Sequence, residues 1–356
     1  MSIYSSDCQS IVNTGNLSSS ELTIFATTPQ SLDWPAEFYL NRLIDVSRWS
    51  ERAGCTGTLI YTDNSIVDPW LVAQQVILHT SSLVPLVAVQ PVYMHPYAVA
   101  KMITSLAFLH GRRVFLNMVA GGFKNDLLAL NDQTPHDRRY DRLIEYTKII
   151  RLLLESQVPV SFAGEFYRIE KLQLKPALPP ELMPEILMSG SSAAGTAAAE
   201  ATGATAIRYP EPPENCQPLN GDGPASAGVR VGIIARDTAD EAWRVAYERF
   251  PQDRRGQIAH DLAMRVSDSS WHQRLSELGS DRSSQKGVYW LGPFENSKSN
   301  CPYLVGDYQE VAEQIRCYIA YGYRTFILDI PPSEEELQHV GRVFHDARKL
   351  ESAKNL

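Results

Sequence analysis

Four small residues, Ser189-Gly190-Ser191-Ser192, stand directly before an alanine-rich stretch and could bind a phosphate group. Small side chains let backbone N–H groups approach an anion, serine hydroxyls donate hydrogen bonds, and the positive end of a helix dipole adds attraction. Residues 193–202 are nearly all small and predict such a helix. A serine that only caps this helix beside a flexible turn explains the pattern equally well, so both interpretations stay open.

A second group of candidate residues lies in the stretch 112–140. Its apolar run, 114–120, ends in two glycines and predicts a strand that is buried on both faces, as in parallel sheets. Asn117 is the one polar side chain in that run, and a buried amide needs a hydrogen-bond partner. A polar loop leads to a predicted helix that carries His136 and Tyr140 near its start. This arrangement of strand, loop and helix indicates the floor of a ligand site.

Two further side chains, His95 and Arg230, could face a substrate. His95 follows a predicted strand and precedes a proline, so it could equally lie on the surface or cap a helix. Arg230 lies inside an apolar strand, where a guanidinium needs an anionic or carbonyl partner, either a ligand or a structural ion pair. Arg138 and Arg139 are expected on the exterior of the domain. No metal-ligand set is visible, and the five cysteines show no CxxC spacing, which indicates free thiols.

Eight apolar runs alternate with helix-like stretches, which predicts a (β/α)₈ TIM barrel in preference to an open sheet. In such barrels the site lies at the C-terminal ends of the strands, and this rule adds Thr62 and Gln90 to the candidates. The predicted strands are 22–27, 57–62, 84–90, 114–120, 184–190, 204–208, 229–235 and 323–329.

The alternation continues to the last residues, so residues 21–356 are predicted to form a single barrel domain. Residues 1–20 are rich in serine and asparagine and are expected to form a disordered leader. Residues 157–176 alternate around an Ala-Gly pair and predict a hairpin insertion. Residues 281–303 lack periodicity, and a loop of this length in a compact domain is expected to act as a lid.

The composition excludes several classes of function. The net charge is −8 and the pI is about 5.6, which argues against nucleic acid or an anionic membrane as partner. No apolar stretch reaches the length of a transmembrane helix, and the N-terminus lacks the pattern of a signal peptide. We therefore expect a cytoplasmic protein with enough apolar residues for a substantial core.

The order of motifs along the chain resembles that of the luciferase-like flavin monooxygenases, and most closely the two-component alkanesulfonate monooxygenase branch. The resemblance implies a bacterial-luciferase-like barrel with insertion segments, reduced FMN supplied by a separate NAD(P)H-dependent flavin reductase, O2 as co-substrate, and a homodimer or homotetramer. The motifs, which span most of residues 31–349, are PLVAVQPVYMHPYAVAK, RRVFLNMVAGG, HDRRYDRLIEYTKIIRLLL, VSFAGEFYRIEKLQL, PEILMSGSS, EPP, VRVGIIARDTADEAW and YLVGDYQEVAEQI.

The resemblance also assigns roles to individual residues. It implies that the FMN phosphate lies at Tyr140 and the serine-rich turn, that Asn117 and Ala120 lie beside the isoalloxazine, and that His136 lies near the flavin edge. Together with the strand-end rule, the expected cofactor-binding residues are Thr62, Gln90, Asn117, Ala120, Tyr140, Ser189, Gly190, Ser191 and Ser192. The expected catalytic residues are His95, His136 and Arg230.

The residues that would handle a sulfonate differ from those of the alkanesulfonate branch. Ile66 stands where that branch has a cysteine, Gly232 replaces the histidine of an Arg-x-His pair, Gln90 replaces an arginine, and Ile330 aligns with an active-site tyrosine. We therefore expect a larger, less anionic substrate than an alkanesulfonate. A natural-product intermediate, as a free small molecule or bound to a carrier protein, fits these replacements.

The expected reaction is transfer of one oxygen atom from O2 to an organic substrate through a flavin C4a-(hydro)peroxide, because the flavin supplies the difficult chemistry. Two alternatives remain open. A deazaflavin-dependent oxidoreductase on the same barrel would have a similar phosphate site. A non-catalytic flavin-binding relative would keep the barrel and lose the acid and base groups.

Overall fold

The computed structural model describes residues 22–121, 124–212, 227–266, 275–276 and 287–354. The strands are β1 (Thr23–Thr27), β2 (Gly57–Ile60), β3 (Val84–Val89), β4 (Phe115–Val119), β5 (Val160–Ala163), β6 (Arg168–Leu172), β7 (Ile186–Ser189), β8 (Thr205–Arg208), β9 (Ala227–Arg236), β10 (Tyr289–Trp290), β11 (Tyr303–Asp307) and β12 (Tyr323–Leu328). The helices are α1 (Ala36–Arg52), α2 (Pro69–His79), α3 (Pro96–His110), α4 (Lys124–Ala129), α5 (His136–Glu155), α6 (Ala193–Thr202), α7 (Ala239–Arg249), α8 (Arg254–Val266), α9 (Gly292–Glu295), α10 (Tyr308–Ala320) and α11 (Glu334–Lys354).

Eight parallel strands close into a barrel in the order β1, β2, β3, β4, β7, β8, β9 and β12. The pairs β8–β9 and β12–β1 complete the circle, so the sheet has no free edge within this set. The (β/α)₈ prediction is therefore confirmed, and each of the eight predicted runs corresponds to one of these strands. Their side chains are apolar on both faces because one face fills the barrel and the other packs against the helices.

The lower part of the barrel interior is filled by one large apolar side chain from most of the strands. At β9 the corresponding residue is Gly228, where a Cβ atom would lie 2.7 Å from both Ile207 and Thr325. Gly228 thus leaves space for Ile207 and Thr325. The apolar layer closes the barrel interior below its mouth. The apolar layer consists of Phe25, Leu59, Leu86, Phe115, Leu187, Ile207 and Ile327.

The antiparallel hairpin β5–β6 lies within the segment 157–176 and is attached to α5. The Glu145 carboxylate on α5 accepts hydrogen bonds from the backbone N–H groups of Glu165, Phe166 and Tyr167 at 2.7–3.2 Å. The hairpin is therefore bound to the same helix that carries His136 and Tyr140.

An outer layer continues from β9 beyond the barrel wall. Residues 227–231 of β9 pair with β12, and residues 232–236 pair with β11, which lies parallel to β9 and antiparallel to β10. The aperiodic segment predicted at 281–303 thus contains β10 and α9 from residue 287 onward. Its first six residues and the predicted leader 1–20 lie outside the described residues.

Candidate functional site

Polar side chains replace the apolar filling at the C-terminal end of the barrel. Because side chains alternate along a strand, the inner face continues at every second residue beyond the apolar layer. In barrels of this architecture the ligand site lies at this end. The inward polar residues are Thr27, Tyr61, Gln90, Asn117, Ser189, Tyr209, Arg230 and Asp329.

The serine turn, Ser189–Ser192, connects β7 to α6 and lies against Tyr140 of α5. A Cβ atom on Gly190 would lie 2.5 Å from the Tyr140 hydroxyl, so only glycine allows this close approach. The Ser192 hydroxyl accepts a hydrogen bond from the Gly195 N–H at 3.1 Å and is also hydrogen-bonded to Tyr140. Burial raises the pKa of Tyr140, while the Ser192 hydrogen bond acts in the opposite direction. The phenol is therefore a neutral donor beside hydroxyls and a helix N-terminus, which suits an anion.

Both interpretations of the serine turn have a counterpart in this geometry. Ser192 is the N-cap of α6, as the capping interpretation requires. Gly190 and Tyr140 form a close contact that helix capping does not need. Ser191 is half-buried in the same turn. The turn therefore caps α6 and also places Gly190 against the Tyr140 hydroxyl, a contact that we call the glycine cradle.

The end of β4 is joined to the serine turn by a buried side-chain hydrogen bond. The Ser189 hydroxyl donates to the Asn117 side-chain oxygen at 2.9 Å, which gives this buried amide its partner. Ala120 is buried just beyond the strand, and Gly121 has a φ of +100°, a backbone conformation that favours glycine. The predicted residues Asn117 and Ala120 thus lie on the strand next to the turn that was predicted to bind phosphate.

Arg139 is buried, and the expectation that it lies on the exterior was wrong. Its side chain is 1% exposed, and its Nη1 donates to the Gly121 carbonyl at 3.0 Å. Arg138, the preceding residue, is exposed and pairs with Asp141 at 2.5 Å. Consecutive residues of a helix point about 100° apart, so one arginine of the pair faces the barrel and the other faces solvent. Arg139 therefore ties the end of β4 to the helix that carries Tyr140.

The two predicted catalytic histidines lie at helix starts. His136 opens α5, contacts the Tyr140 ring at 5.3 Å between centroids, and is hydrogen-bonded to Asp137 at 2.7 Å. His95 is exposed and caps α3 by accepting from the Tyr97 N–H at 3.2 Å. His136 thus lies beside Tyr140, the residue that contacts the serine turn. The His95 ring instead caps α3, which was one of the alternatives for this residue.

Thr62 and Gln90 line a cavity of about 290 Å³ at the ends of β2 and β3. Gln90 is buried, and its Nε2 approaches Gly121, since a Cβ atom there would lie 3.4 Å away. The cavity therefore adjoins the end of β4. Burial, with a smaller contribution from Asp63, raises the pKa of Tyr93 in its wall to about 12. The remaining lining is mostly apolar and includes Ile66, Pro69, Trp70, Val89 and Met94.

Arg230 extends across the mouth from β9 to the far wall. It is 7% exposed, and its guanidinium carbon lies 4.9 Å from the centroid of the Tyr61 ring beside β2. Its Nη2 lies 4.0 Å from Asp329 Oδ1, and neither Nε nor Nη2 has a hydrogen-bond partner among the described residues. A guanidinium with two unused buried donors is costly unless a ligand completes its contacts. Arg230 thus forms the structural ion pair that was one of its alternatives, but its contact with Asp329 does not use the Nε and Nη2 donors in hydrogen bonds.

Asp329 is a functional candidate that sequence reasoning missed. It follows β12, and its Oδ2 accepts hydrogen bonds from Ser299 at 2.6 Å and Tyr303 at 2.8 Å. Its Oδ1 accepts from the Ile330 N–H at 2.9 Å. The strand-end rule could have found it, because Asp329 is the last residue of the predicted strand 323–329.

A closed parallel barrel with polar side chains at the C-terminal ends of its strands is the architecture of a large class of enzymes, whose active sites lie at this end. No group of three or more histidine, cysteine or acidic side chains in the described ranges could hold a metal ion. None of the helices among those residues is long and apolar enough to span a membrane.

Comparison with known proteins gives the family. The model of the luciferase-like monooxygenases matches residues 20–325. The 4-(gamma-L-glutamylamino)butanoyl-[BtrI acyl-carrier protein] monooxygenase BtrO of Niallia circulans is 36% identical over 312 residues, which cover 86% of this chain and 91% of that protein. The chain therefore belongs to the luciferase-like monooxygenase family. It is a flavin-dependent monooxygenase, an oxidoreductase.

Solved structures share the fold at low sequence identity. DmoA from Hyphomicrobium sulfonivorans aligns with a TM-score of 0.74 at 16% identity, over 93% of this chain and 88% of that one. The EDTA monooxygenase of Chelativorans sp. BNC1 aligns with a TM-score of 0.69 at 14% identity, over 92% and 94% of the two chains. These likenesses support the barrel assignment alone.

Proposed function

We propose that this monooxygenase uses reduced FMN, with the phosphate bound between the serine turn and Tyr140. The contact between Tyr140 and Gly190 carries the proposal, because a glycine cradle beside a buried phenol and a helix N-terminus suits a phosphate dianion. Ser191 adds a hydroxyl donor, and Ser189, whose hydroxyl donates to Asn117, fixes the start of the turn relative to β4. Thr62, Gln90, Asn117 and Ala120 line the mouth beyond the turn, where small and amide side chains suit a flat ring.

Bound flavin would supply the activation of O2. The chain's own residues position that flavin and the substrate and exclude water. Arg139 and the Asn117–Ser189 hydrogen bond fix the end of β4 relative to the phosphate turn. Arg230 offers positive charge at the opposite wall. His136, beside Tyr140, is proposed to act near the flavin, and the exposed His95 is the weaker of the two histidine candidates.

We propose a natural-product intermediate bound to an acyl carrier protein as substrate. The support is the 36% identity to BtrO, whose name specifies such a substrate. That name denotes an acyl chain that ends in a γ-linked glutamyl group, which leaves a free amino group and a free carboxylate. The cavity wall formed by Ile66, Trp70 and Met94 suits the methylene part of an acyl chain.

Several partner assignments accompany this proposal. A separate NAD(P)H-dependent reductase supplies reduced FMN, as the resemblance to the two-component alkanesulfonate branch implies. A homodimer or homotetramer, and a cytoplasmic location, stay predictions. Cys55, Cys301 and Cys317 are free in the structure, which is compatible with a reducing compartment.

A coupled assay tests the function. The purified chain is supplied with FMN, NADH, a flavin reductase and O2, together with pantetheine thioesters of candidate acyl chains, and products are analysed by mass spectrometry. The expected product carries one added oxygen atom, and Tyr140→Phe lowers the FMN affinity. Release of hydrogen peroxide alone with all acyl chains would contradict the substrate class. Reconstitution with deazaflavin in place of FMN, followed by absorbance, tests the alternative cofactor.

A further inference from the structure

We propose that Arg230 is the specificity-determining residue of this active site and binds a carboxylate at the free end of the substrate. The substrate class would then be an acyl chain with a terminal carboxylate, presented as a thioester. This inference rests on the proposed function and deepens it.

The first argument is the unused hydrogen-bonding capacity of Arg230. Its Nε and Nη2 groups lie side by side on one edge of the guanidinium, which is the fork that binds a carboxylate in bidentate fashion. Within the part of the chain that the structure describes, both lack a hydrogen-bond partner, and the residue is 7% exposed. A carboxylate that reached this edge, after a shift of the side chain, would restore the hydrogen bonds that the guanidinium lost on burial.

The second argument is the position of the arginine. Gly228 and Gly232 flank Arg230 along β9, so the strand itself places no side chain beside it, and the Tyr303 ring fills the space next to Gly232. The Tyr61 ring supports the cation from the opposite wall at 4.9 Å without using any N–H group. The guanidinium is thus held over the mouth by a contact that does not use its N–H groups.

The third argument concerns Asp329, which we infer to be a positioning residue. Ser299, Tyr303 and the Ile330 N–H donate three hydrogen bonds to its carboxylate, and these fix its orientation. The remaining distance of 4.0 Å to Arg230 provides charge attraction without a hydrogen bond. Asp329 therefore lowers the cost of burying the arginine and leaves the donors for a second anion.

Two anions could use the same guanidinium: a substrate carboxylate and the reduced flavin, which is anionic in its pyrimidine ring. The experiment separates them. Pantetheine thioesters of γ-glutamylaminobutanoate and of its α-carboxamide analogue, which has the same size and amino group but lacks the carboxylate charge, are compared as substrates of the full chain with FMN and reductase. The dissociation constant of reduced FMN is measured anaerobically in parallel.

We expect the wild-type kcat/KM for the carboxylate to exceed that for the carboxamide by about 10- to 150-fold, the range for one charge-assisted hydrogen-bonded contact. Arg230→Gln removes this preference, mainly through KM, and Arg230→Lys restores part of it. Asp329→Asn weakens the preference less and leaves the FMN dissociation constant unchanged. Arg244→Gln, an exposed arginine of α7, is the matched control and keeps the wild-type preference.

An equal preference for the carboxylate in wild type and Arg230→Gln overturns the inference. So does a weakened reduced-FMN affinity in Arg230→Gln with the substrate preference intact, because that result assigns the arginine to the flavin. If no thioester is oxygenated, the proposed function fails, and equilibrium binding of the two thioesters to FMN-loaded wild type and Arg230→Gln still decides the carboxylate preference.

Discussion

The two sides of the barrel mouth differ in how completely their polar groups are paired. On the proposed cofactor side, formed by β4, β7 and α5, Ser189 donates a hydrogen bond to Asn117, Tyr140 is hydrogen-bonded to Ser192, and Arg139 donates to the Gly121 carbonyl. On the proposed substrate side, formed by β2, β9 and β12, two donors of Arg230 have no hydrogen-bond partner in the described ranges. The first side is linked by hydrogen bonds within the chain, whereas the second presents a buried guanidinium edge that suits an anionic ligand.

This difference corresponds to two chemical tasks. A phosphate and a flat ring are the same in every turnover, so a rigid site lowers the entropy that binding must offset. Substrates vary between relatives, and the residues that changed from the alkanesulfonate pattern, such as Ile66 and Gly232, lie near the substrate side. We therefore expect mutations on the two sides to separate cofactor affinity from substrate selection.

The largest expected effect is on the cofactor side, at Arg139. Arg139→Met leaves the buried Gly121 carbonyl without this donor, and we expect a loss of about 2–4 kcal/mol in the free energy of unfolding. Urea denaturation followed by circular dichroism measures it. Arg138→Met, the exposed neighbour on the same helix, serves as control and should change stability little. Similar losses in both variants would show that the buried contact is not what holds this side together.

The next effect concerns the glycine cradle. Gly190→Ala places a methyl group 2.5 Å from the Tyr140 hydroxyl, which must move away and lose its contact with the turn. We expect the FMN dissociation constant to rise by about 100-fold, as for the loss of a charge-assisted hydrogen bond with strain. Flavin fluorescence titration measures the change. Gly341→Ala, where an added Cβ meets open space, is the matched control. An unchanged FMN affinity in Gly190→Ala would refute the cradle.

A smaller change is expected when only the phenol hydroxyl is removed. Tyr140→Phe should raise the FMN dissociation constant by about 10-fold, the value of one hydrogen bond to a charged group. Tyr146→Phe on the same helix removes a hydrogen bond to the Met94 carbonyl at 2.9 Å and should leave FMN affinity unchanged. The same titration, together with thioester selectivity, shows whether the substrate side stays unaffected. A change in carboxylate preference in Tyr140→Phe would break the separation of the two sides.

The smallest effect is a loss of stability at high pH, and it involves buried tyrosines on both sides of the mouth. Burial raises the pKa of Tyr140 on the cofactor side and of Tyr303 on the substrate side, and burial raises the pKa of Tyr167 in the hairpin to about 12. Between pH 10 and 12 the unfolded chain therefore releases phenol protons that the folded chain keeps, so stability falls as the pH rises. Near-ultraviolet absorbance and denaturation at each pH measure both processes. Complete tyrosine ionisation near pH 10 in the folded protein would contradict this.

The barrel could be predicted from the sequence because each strand is a short apolar run between polar loops. The prediction for the first strand, 22–27, differs from β1 by one residue. The outer strands β10 and β11 escaped prediction, since β10 has two residues and neither strand shows an alternation that stands out from the loops around it. Such short strands are stabilised by pairing with neighbouring strands, so their own sequence shows little of the pattern that predicts a strand.

The candidate site was predictable where one local motif carries it. The serine turn and Tyr140 are distant in sequence, yet each stands at a recognisable strand or helix end, and the structure brings them into contact. Arg139 could not be distinguished from Arg138, because which of two adjacent helix residues faces inward depends on tertiary packing. The pairing of Arg230 with Asp329 links two strands that are far apart in the chain, so local patterns carry no information on it.

Strand β9 begins in the barrel wall and ends in the outer layer, with Arg230 in its first half and Gly232 bonded to the segment before β11. The neighbouring Tyr303 reaches back to Asp329. The Arg230 guanidinium and the outer layer are therefore linked through Asp329 and Tyr303. We therefore expect a substitution in the outer layer that displaces Tyr303 to move Asp329, the carboxylate that faces Arg230.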